Sequence, residues 1–306
     1  MTGRPGGVIE VEGRRVRVTT LDRVLWPDAG FTKRQMIEYY VRVAPVLLPH
    51  LARRPITLHR FPEGVEGPGW YQARCRGRPA WMSAHVVRGR TGEAIDYCLI
   101  EDVASLVWAA NLGTIELHPF LAPAERPDEP TVVAFDLDPG PPADLVDCCE
   151  VALWLREVLD GLGLEAFAKT SGAVGLHVYV PLGPGHRYDA TKPFARGVAR
   201  LLAERNPDRV IERMTRSLRP GKVLVDWLQN DPTRSTVAPY SLRAMAWPTV
   251  STPVTWDEVE GAVRDRSPGT VTFQPGDVLD RIERMGDLFG PVLEIDQSLP
   301  EWTRDG

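Results

Sequence analysis

The sequence predicts a protein of the α+β class, in which short strands and amphipathic helices are mixed along one chain. Three stretches favour this class. Residues 8–20 alternate apolar and polar side chains on both sides of a central glycine, which is typical of a β-hairpin. Residues 33–48 repeat apolar side chains at helical spacing behind Thr32, a favourable helix N-cap. Residues 131–140 carry an apolar run into two aspartates and Pro-Gly, which indicates a buried strand.

The remaining elements follow the same two periodicities. Alternation and short apolar runs predict strands at 95–100, 114–119, 166–170, 176–181 and 223–225. Helical spacing predicts helices at 103–111, 145–161, 191–204, 257–264 and 275–285. The Pro-rich connection 122–130 is a candidate boundary inside a single domain 1–306, with an N-terminal part at 1–130, a core at 131–250 and C-terminal helices at 251–306.

Composition limits the kind of protein. The chain has 306 residues, a net charge of −5 and a pI near 5.8, so any nucleic-acid contact has to come from a local basic patch. The four cysteines lack C-x-x-C spacing, so we expect neither a zinc knuckle nor a disulfide framework, and a reducing cytoplasm is the simpler location. Residues 1–7 lack the apolar core of a signal peptide, and no apolar run is long enough for a membrane span.

Two carboxylates close the apolar run at 131–140. In an extended strand Asp136 and Asp138 point to the same face while Leu137 points to the other. Like charges held so close favour a divalent cation, and Mg²⁺ or Mn²⁺ is what carboxylate oxygens select. Asp226 ends a second apolar strand and would complete a two-metal cluster of the kind used in nucleotidyl transfer. The alternative is an exposed Asp-x-Asp that only caps the next helix.

A glycine-bearing turn at 171–175 precedes the predicted strand at 176–181. Ser171, the backbone amides from Gly172 to Gly175, and His177 could together hold a phosphate, since glycines allow close backbone approach and successive amides form an anion-binding nest. Most turns of this composition bind nothing, so the motif alone does not decide.

A local basic and aromatic region lies in the first part of the chain. Cations such as Arg60 alternate with the adjacent Trp70 and Tyr71 on a Gly/Pro-rich loop, which suits the binding of unstacked bases. Arg23 and Lys33 flank a turn that opens a helix, where a phosphate could be held. The alternatives are a surface loop with its aromatic residues folded inward, and two solvated cations.

Three motifs in order resemble one family, the polymerase domain of bacterial end-joining DNA ligase D in the archaeo-eukaryotic primase superfamily. The resemblance covers about residues 20–288. It implies a primase-polymerase fold, with a catalytic sheet like that of RNA-recognition motifs and a smaller N-terminal α/β part around a central cleft. The motifs are Phe-Asp136-Leu-Asp138-Pro-Gly, Thr170-Ser171-Gly-x-x-Gly-Leu-His177-Val-Tyr and Lys222-Val-Leu-Val-Asp226-Trp-x-Gln-Asn.

The resemblance also implies a role for each matching residue. The catalytic and metal-binding residues would be Asp136, Asp138 and Asp226, holding two Mn²⁺ or Mg²⁺ ions. The nucleotide-binding residues would be Ser171, Gly172, His177, His118, Arg219, Lys222 and Arg243. The DNA-binding residues would be Arg23 and Lys33 on a 5′-phosphate, and Arg60, Trp70 and Tyr71 at the template bases.

This chain departs from the family pattern at three positions. Relatives commonly carry Lys where this chain has Val174, which puts one triphosphate contact in doubt. Thr20 stands where Asn is common, and Arg23 stands in place of the phosphate-binding Lys. Arg keeps the charge and can grip a phosphate with two parallel hydrogen bonds, so 5′-phosphate recognition survives in principle.

The resemblance implies a template-dependent polymerase that adds nucleotides, preferably ribonucleotides, at short gaps or break ends bearing a 5′-phosphate. Its substrates would be DNA, NTP and dNTP, with Ku and a separate ATP-dependent DNA ligase as candidate partners and the cytoplasm, at the nucleoid, as location. The chain has no Lys-x-Asp-Gly ligase signature, so we expect no ligation by that chemistry. Alternatives are a primer-independent primase, a catalytically silent DNA-end binding module and a metal-dependent nuclease.

Overall fold

The computed structural model describes residues 6–88 and 92–300. The strands are β1 (Gly7–Val11), β2 (Arg14–Val18), β3 (Val24–Trp26), β4 (Phe31–Thr32), β5 (Ile56–Arg60), β6 (Trp70–Gln72), β7 (Ala84–Arg88), β8 (Ala94–Cys98), β9 (Thr114–Pro119), β10 (Val132–Pro139), β11 (Phe167–Thr170), β12 (Leu176–Pro181), β13 (Val210–Ile211), β14 (Val223–Asp226), β15 (Leu242–Ala244), β16 (Pro248–Val250) and β17 (Pro253–Val254). The helices are α1 (Lys33–Leu51), α2 (Val103–Asn111), α3 (Leu145–Gly161), α4 (Tyr188–Arg205), α5 (Trp256–Asp265), α6 (Pro275–Met285) and α7 (Pro291–Glu294).

Local sequence signals account for most of these elements. The predicted hairpin at 8–20 is confirmed as β1 and β2, which pair in antiparallel register. Thr32 caps α1 as predicted, because its side chain accepts a hydrogen bond from the backbone N–H of Gln35 and the Gln35 side chain returns one to Thr32. The predicted helices at 103–111 and 275–285 are confirmed as α2 and α6.

Helices α1 and α4 extend by most of a turn beyond one of their predicted ends, because tertiary packing outweighs local signals. Helix α1 continues to Leu51, which is fully buried, although Pro49 lacks the N–H of a helical hydrogen bond. Helix α4 begins at Tyr188 rather than Thr191, and both of these side chains are buried.

A disulfide joins Cys75 to Cys98, so the expectation that the cysteines form no disulfide is wrong for this pair. The two residues are 23 positions apart, but their Cα atoms lie 4.8 Å apart, a separation typical of disulfides. They meet because Arg74 and Tyr97 form a β-bridge and the N–H of Cys75 donates to the Asp96 carbonyl. The remaining two cysteines, Cys148 and Cys149, are buried free thiols.

The described residues divide into two compact units. The first unit contains the described residues up to Phe120, together with Val237–Val250 and Gln274–Gly286. Its sheet has the order β6-β5-β8-β7, with β9 also paired to β5, and helices α1 and α2 pack against each other. The hydroxyl of Tyr40 on α1 donates to the carbonyl of Ile115 on β9, which ties the helix to the sheet.

The second unit contains Leu121–Thr236, Ser251–Phe273 and the described residues from Asp287 onward. Its six-stranded sheet has the order β13-β14-β10-β12-β11-β17 and is antiparallel except for the β13–β14 pair. Helices α3 and α4 pack against β10. Apolar residues from β10, β12 and β14 join those of α3, α4 and α5 in one core, which fixes the face that each strand residue occupies.

None of the helices within the described ranges combines the length and the apolar character that crossing a membrane requires.

Candidate active site

The three predicted acids share one face of the second unit's sheet. Phe135 and Leu137 of β10 are fully buried in the helix-covered core, so the alternating Asp136 and Asp138 point to the opposite face. Asp226 ends β14 and is the register partner of Asp136. Such paired residues place their Cβ atoms about 4.5–5.5 Å apart. The structure therefore brings the three carboxylates together, as the two-residue period predicts.

The side chain of Asn230 holds this strand pair in alignment. Its amide is fully buried, accepts a hydrogen bond from the N–H of Ala134 at 2.9 Å and donates one to the carbonyl of Ala134 at 2.7 Å. Ala134 precedes Asp136 by two residues. Asn230 thus fixes the backbone that carries the first acid, a role that the sequence analysis did not find.

The carboxylates of Asp136 and Asp226 repel each other. Burial raises the pKa of Asp226, and the charge of Asp136 raises it further. A hydrogen bond at 2.7 Å from the N–H of Leu228 and the charges of Arg234 and Arg219 act in the opposite direction. The net direction is upward, so ionising all of these acids together is costly when no cation lies between them.

The donor set fits a hard divalent cation. Asp136, Asp138 and Asp226 offer only carboxylate oxygens, which Mg²⁺ and Mn²⁺ prefer over softer ligands. Burial is the larger cause of the upward pKa shift of Asp226, and such an ion would relieve the repulsion from Asp136 that adds to it. These three residues are therefore candidates for holding a metal in the second unit.

A buried lysine, missed by the sequence analysis, orients the histidine beside these acids. Lys169 is fully buried on β11; its Nζ donates to Ser251 Oγ at 2.8 Å and lies 3.2 Å from His177 Nδ1. An ammonium group can only donate, so Nδ1 accepts and the ring proton lies on Nε2. That nitrogen is 3.1 Å from Asp136 Oδ1. The signal in the sequence was one charged residue, Lys169, in the predicted strand 166–170, which the fold places in register opposite His177.

The predicted phosphate turn is organised by Ser171. Its Oγ accepts hydrogen bonds from the N–H groups of Ala173 and Gly175, both at 3.1 Å, and its own N–H donates to the Gly175 carbonyl at 2.9 Å. Gly172 adopts a φ of 70°, which favours glycine. A Cβ on Gly175 would lie 2.1 Å from the carbonyl oxygen of Leu137. The turn therefore lies directly against the β10 backbone between the two acids.

The two cations predicted ahead of β14 occupy different environments. Arg219 lowers the pKa of Asp226 through its charge, and its buried Nε has no hydrogen-bond partner among the residues that the structure describes. Lys222 lies at the other end of β14 from Asp226, and its Nζ donates to the carbonyl of Pro207. The structure thus brings Arg219 to the acids but directs the side chain of Lys222 elsewhere.

A buried carboxylate in the first unit connects two predicted nucleotide-binding residues. Glu116 Oε1 accepts from Arg243 Nε and from the N–H of Ala244, both at 3.0 Å. Glu116 Oε2 lies 2.9 Å from His118 Nε2 and 2.9 Å from His59 Nδ1. The two-residue period of the predicted strand 114–119 puts Glu116 and His118 on one face, but the sequence does not reveal His59 or the partnership with Arg243.

The charge of Glu116 is stabilised by its partners. Burial alone would raise the pKa of its carboxyl, but hydrogen bonds from His118 and His59 and the charge of Arg243 hold that pKa well below its ordinary value. Burial lowers the pKa of His118 and is opposed by Glu116. The network therefore contains an ionised carboxylate and a neutral His118 at neutral pH.

Because their ligand atoms lie within 4.8 Å of one another, His59, Glu116 and His118 could also hold a metal ion. The guanidinium of Arg243 on the second oxygen of Glu116 opposes an added cation at this position. We therefore describe these residues as a hydrogen-bonded network, which we call the Glu116 network, comprising Glu116, His59, His118 and Arg243.

Three predicted DNA-binding cations lie close together in the first unit. Lys33 is only 5% exposed and donates to the Thr19 carbonyl at 2.8 Å. Burial, then the charges of Arg23 and Arg60, lower the pKa of Lys33 to about 8. Arg23 donates to the Pro62 carbonyl at 2.8 Å and pairs with the exposed carboxylate of Glu63 at 2.6 Å. The repulsion that Arg23 and Arg60 exert on the Lys33 ammonium favours a further bound anion.

The two predicted stacking residues are exposed on β6, so the alternative in which they fold inward is wrong. Trp70 is 45% exposed and Tyr71 is 61% exposed. The Arg60 guanidinium lies 5.2 Å from the Trp70 ring centroid. The Tyr71 ring stacks on His59 at 3.9 Å with a 10° interplanar angle. Both rings are thus held in fixed orientations by residues beneath or beside them.

Comparison with known families gives one clear match. The family described as "LigD, primase-polymerase domain" matches residues 32–289. Among curated proteins, the multifunctional non-homologous end joining protein LigD of Mycolicibacterium smegmatis is 37% identical over 95% of this chain. The bifunctional non-homologous end joining protein LigD of Bacillus subtilis is 29% identical over 94% of it. This chain covers 38% and 45% of those two proteins, respectively, and so spans less than half of their length.

A solved structure shares the fold. It is described as the polymerase domain from Mycobacterium tuberculosis ligase D in complex with DNA. The TM-score is 0.85 at 35% sequence identity, with 92% of this chain and 99% of that chain covered. This likeness confirms the fold class expected from the sequence motifs.

Proposed function

The chain belongs to the LigD primase-polymerase domain family, and from this premise we propose that it is a template-dependent nucleotidyltransferase acting on DNA. It adds nucleotides, preferably ribonucleotides, to 3′ ends at short gaps or at break ends that carry a 5′-phosphate. The observation that carries the proposal is the convergence of Asp136, Asp138 and Asp226 on one sheet face, against the turn at 171–175. Residues 1–306 act as a single functional domain, with its catalytic core at 131–250.

The reaction is an in-line displacement at the α-phosphorus of a nucleoside triphosphate. The 3′-oxygen of the primer forms the new phosphorus–oxygen bond, and pyrophosphate leaves as the bond to the β-phosphate breaks. Mn²⁺ or Mg²⁺ held by the three aspartates, as a two-metal site, would supply Lewis-acid stabilisation of the phosphoryl charge. The 171–175 turn, His177 and Arg219 bind the phosphates.

Residues of the first unit bind the remaining parts of the substrates. Arg23 and Lys33 bind the 5′-phosphate beyond a gap, since they are close cations and the charge of Arg23 lowers the pKa of Lys33. The phosphate replaces the exposed Glu63 as the partner of Arg23. Trp70 and Tyr71 stack on template bases, and Arg60 supports Trp70. His118 and Arg243 contact the nucleotide. Lys222 is the member of this set with the weakest support, because its side chain is directed to Pro207.

We expect Val174→Lys to tighten nucleotide binding. Val174 is 55% exposed in the phosphate turn, so a longer side chain fits there and adds a cation for the triphosphate. The KM for NTP should fall by about three- to tenfold with little change in kcat, because a contact made equally in the ground and transition states changes KM alone. Steady-state primer extension measures both constants. Val174→Met is the matched control, and an equal effect in both variants would show that charge is not the cause.

We expect the preference for a 5′-phosphate to weaken at alkaline pH. The pKa of Lys33 is lowered to about 8, so this residue loses its proton as the pH rises through that value. The affinity ratio between 5′-phosphate and 5′-hydroxyl gapped duplexes should therefore fall by up to about tenfold from pH 7 to pH 9. Fluorescence anisotropy at each pH measures the ratio.

The control for this pH dependence is Lys33→Arg, which keeps its charge across the range. Its affinity ratio should stay constant, and circular dichroism should verify that the variant folds. If Lys33→Arg shows the same decline as the parent, the titrating group lies elsewhere. Lys33→Met removes the charge at every pH, so its affinity ratio should be low and should not depend on pH.

The experiment that tests the proposed function is primer extension on a short-gap duplex with a downstream 5′-phosphate. NTP and dNTP are compared in Mn²⁺ and in Mg²⁺. Templated addition supports the polymerase, whereas dinucleotide synthesis on unprimed single strands would indicate a primase. Binding without addition would indicate a silent DNA-end binding module, and cleavage of labelled DNA with metal but no nucleotide would indicate a nuclease. Ku and a separate ATP-dependent ligase are the proposed partners, at the nucleoid in the cytoplasm.

A further inference from the structure

We propose that Glu116 is a positioning residue for nucleotide binding, acting by holding His118 and Arg243 in the orientation that the nucleotide requires. The inference rests on the proposed function, in which these two residues contact the nucleotide. Glu116 itself is 3% exposed and is assigned no contact with either substrate. Its role would be to fix side chains that reach the ligand.

The hydrogen-bond partners of Glu116 among the described residues approach its carboxylate from two sides. Arg243 Nε and the N–H of Ala244 occupy Oε1, while His118 and His59 share Oε2. These contacts join β9 to β5 and to β15, which are distant in sequence. Glu116 therefore connects β5, β9 and β15 and fixes the side chains of the Glu116 network that these strands carry.

The chemistry of the carboxylate sets the tautomers of both histidines. An ionised carboxylate only accepts hydrogen bonds, so His118 must donate from Nε2 and His59 must donate from Nδ1. A neutral His118 that donates from Nε2 has an acceptor at Nδ1. Glu116 thus determines which nitrogen of His118 is a donor and which is an acceptor.

The same carboxylate also helps to position the exposed aromatic residue Tyr71 on β6. His59 donates to Glu116 and lies under the exposed ring of Tyr71, at 3.9 Å between centroids. The Tyr71 and His118 rings are 5.5 Å apart in an edge-to-face arrangement. The charge of Glu116 therefore fixes His59, which supports the proposed template contact Tyr71. It also fixes His118 and Arg243, the two proposed nucleotide contacts.

Glu116→Gln is the informative substitution because it keeps the shape and reverses the hydrogen bonding. If the Gln oxygen accepts from Arg243 and Ala244, its NH₂ group meets His59 and His118, which must then accept. His118 would move its proton to Nδ1, and Arg243 would lose its charged partner. We expect the KM for NTP to rise at least about tenfold, the equivalent of one charge-assisted hydrogen bond, with a smaller change in the KM for gapped DNA.

A matched control is Asp102→Asn in the same unit. Asp102 is paired with Arg14 and caps α2, so its substitution removes an ion-paired carboxylate outside the Glu116 network. We expect a lower Tm in both variants but a raised nucleotide KM in Glu116→Gln alone. A KM for NTP that is unchanged in Glu116→Gln, or raised equally in Asp102→Asn, overturns the inference.

A second measurement does not depend on activity. The chain has six histidines, few enough for long-range ¹H–¹⁵N spectra to assign the tautomer of each. We expect Nε2–H for His118 and Nδ1–H for His59 in the parent, and the reversed His118 tautomer in Glu116→Gln. The opposite tautomers in the parent overturn the inference even if Glu116→Gln fails to fold.

Metal analysis of the purified full chain tests the remaining alternative, which is that the Glu116 network binds a metal ion. One equivalent of transition metal that is retained by the parent and lost in Glu116→Gln would make the network a metal site and overturn the positioning role. Failure of the parent to add nucleotides overturns the proposed function and this inference with it. If the parent adds nucleotides and Glu116→Gln has the same KM for NTP as the parent, the inference is overturned while the proposed function stands.

Discussion

Replacing Asp136 with Asn should abolish nucleotide addition while the protein stays folded and still binds gapped DNA. The carboxylate belongs to the donor set that we propose to hold the catalytic cation, and Asn supplies a neutral, weaker ligand. The loss in kcat should reach at least about a thousandfold, which corresponds to several kcal/mol of transition-state stabilisation. Primer extension with the parent and the variant at equal DNA occupancy measures it.

The same substitution should not lower stability at neutral pH without metal. The pKa of Asp226 is raised by burial and by the charge of Asp136, so its ionisation costs stability that is present at acid pH and lost as the pH rises through the folded pKa. Removing the Asp136 charge reduces that cost. We expect the Tm of Asp136→Asn in EDTA at pH 7 to equal or exceed that of the parent.

Metal-dependent stability separates this explanation from simple damage to the fold. Mn²⁺ should raise the Tm of the parent because it binds only the folded carboxylate group, and the increase should be lost in Asp136→Asn. Asp160→Asn, an exposed acid paired with Arg156 on α3, is the control and should behave as the parent does. A parent-like kcat in Asp136→Asn would remove the three aspartates from the mechanism.

Replacing Gly175 with Ala should impair both stability and activity. A Cβ at this position would lie 2.1 Å from the carbonyl oxygen of Leu137, which is backbone and cannot rotate away. Either the phosphate turn or β10 has to move, and Leu137 lies between two of the metal-site candidates. We expect about 1–3 kcal/mol of destabilisation, typical of overpacking, and at least about a tenfold loss in kcat/KM under conditions where the variant is folded.

Gly161→Ala is the matched control for this substitution. Gly161 ends α3, and a Cβ there meets nothing within 4 Å, so Ala should be neutral or slightly stabilising. Urea unfolding gives the stability of each variant, and extension kinetics well below the midpoint give activity. Wild-type kinetics in a folded Gly175→Ala would show that the turn tolerates displacement and does not position the phosphates.

The sequence was sufficient for the parts of the site that depend on local periodicity. Strand alternation placed Asp136 and Asp138 on one face, and a second apolar strand ending in Asp226 supplied the third acid. These predictions succeed because a strand has a fixed period of two and a buried face is visible as apolar residues. The capping signal at Thr32 is equally local.

The sequence was insufficient where function depends on partners that only the fold brings together. Glu116 meets Arg243 across 127 positions and His59 across 57, and no spacing rule connects them. The Cys75–Cys98 bridge has the same origin, because strand pairing rather than spacing brings the two thiols together. Lys222 shows the converse, since the family motif in which it stands implied a nucleotide contact that its side-chain direction does not favour.

The interleaving of the two units has a consequence for synthesis on the ribosome. The first unit needs Gln274–Gly286 as well as the early part of the chain, and the second needs residues on both sides of Val237–Val250. Neither unit has all of its segments until residues up to Gly286 have emerged, so folding of the two cannot proceed one after the other in chain order. Nascent chains arrested before residue 286 should therefore remain sensitive to protease in both units.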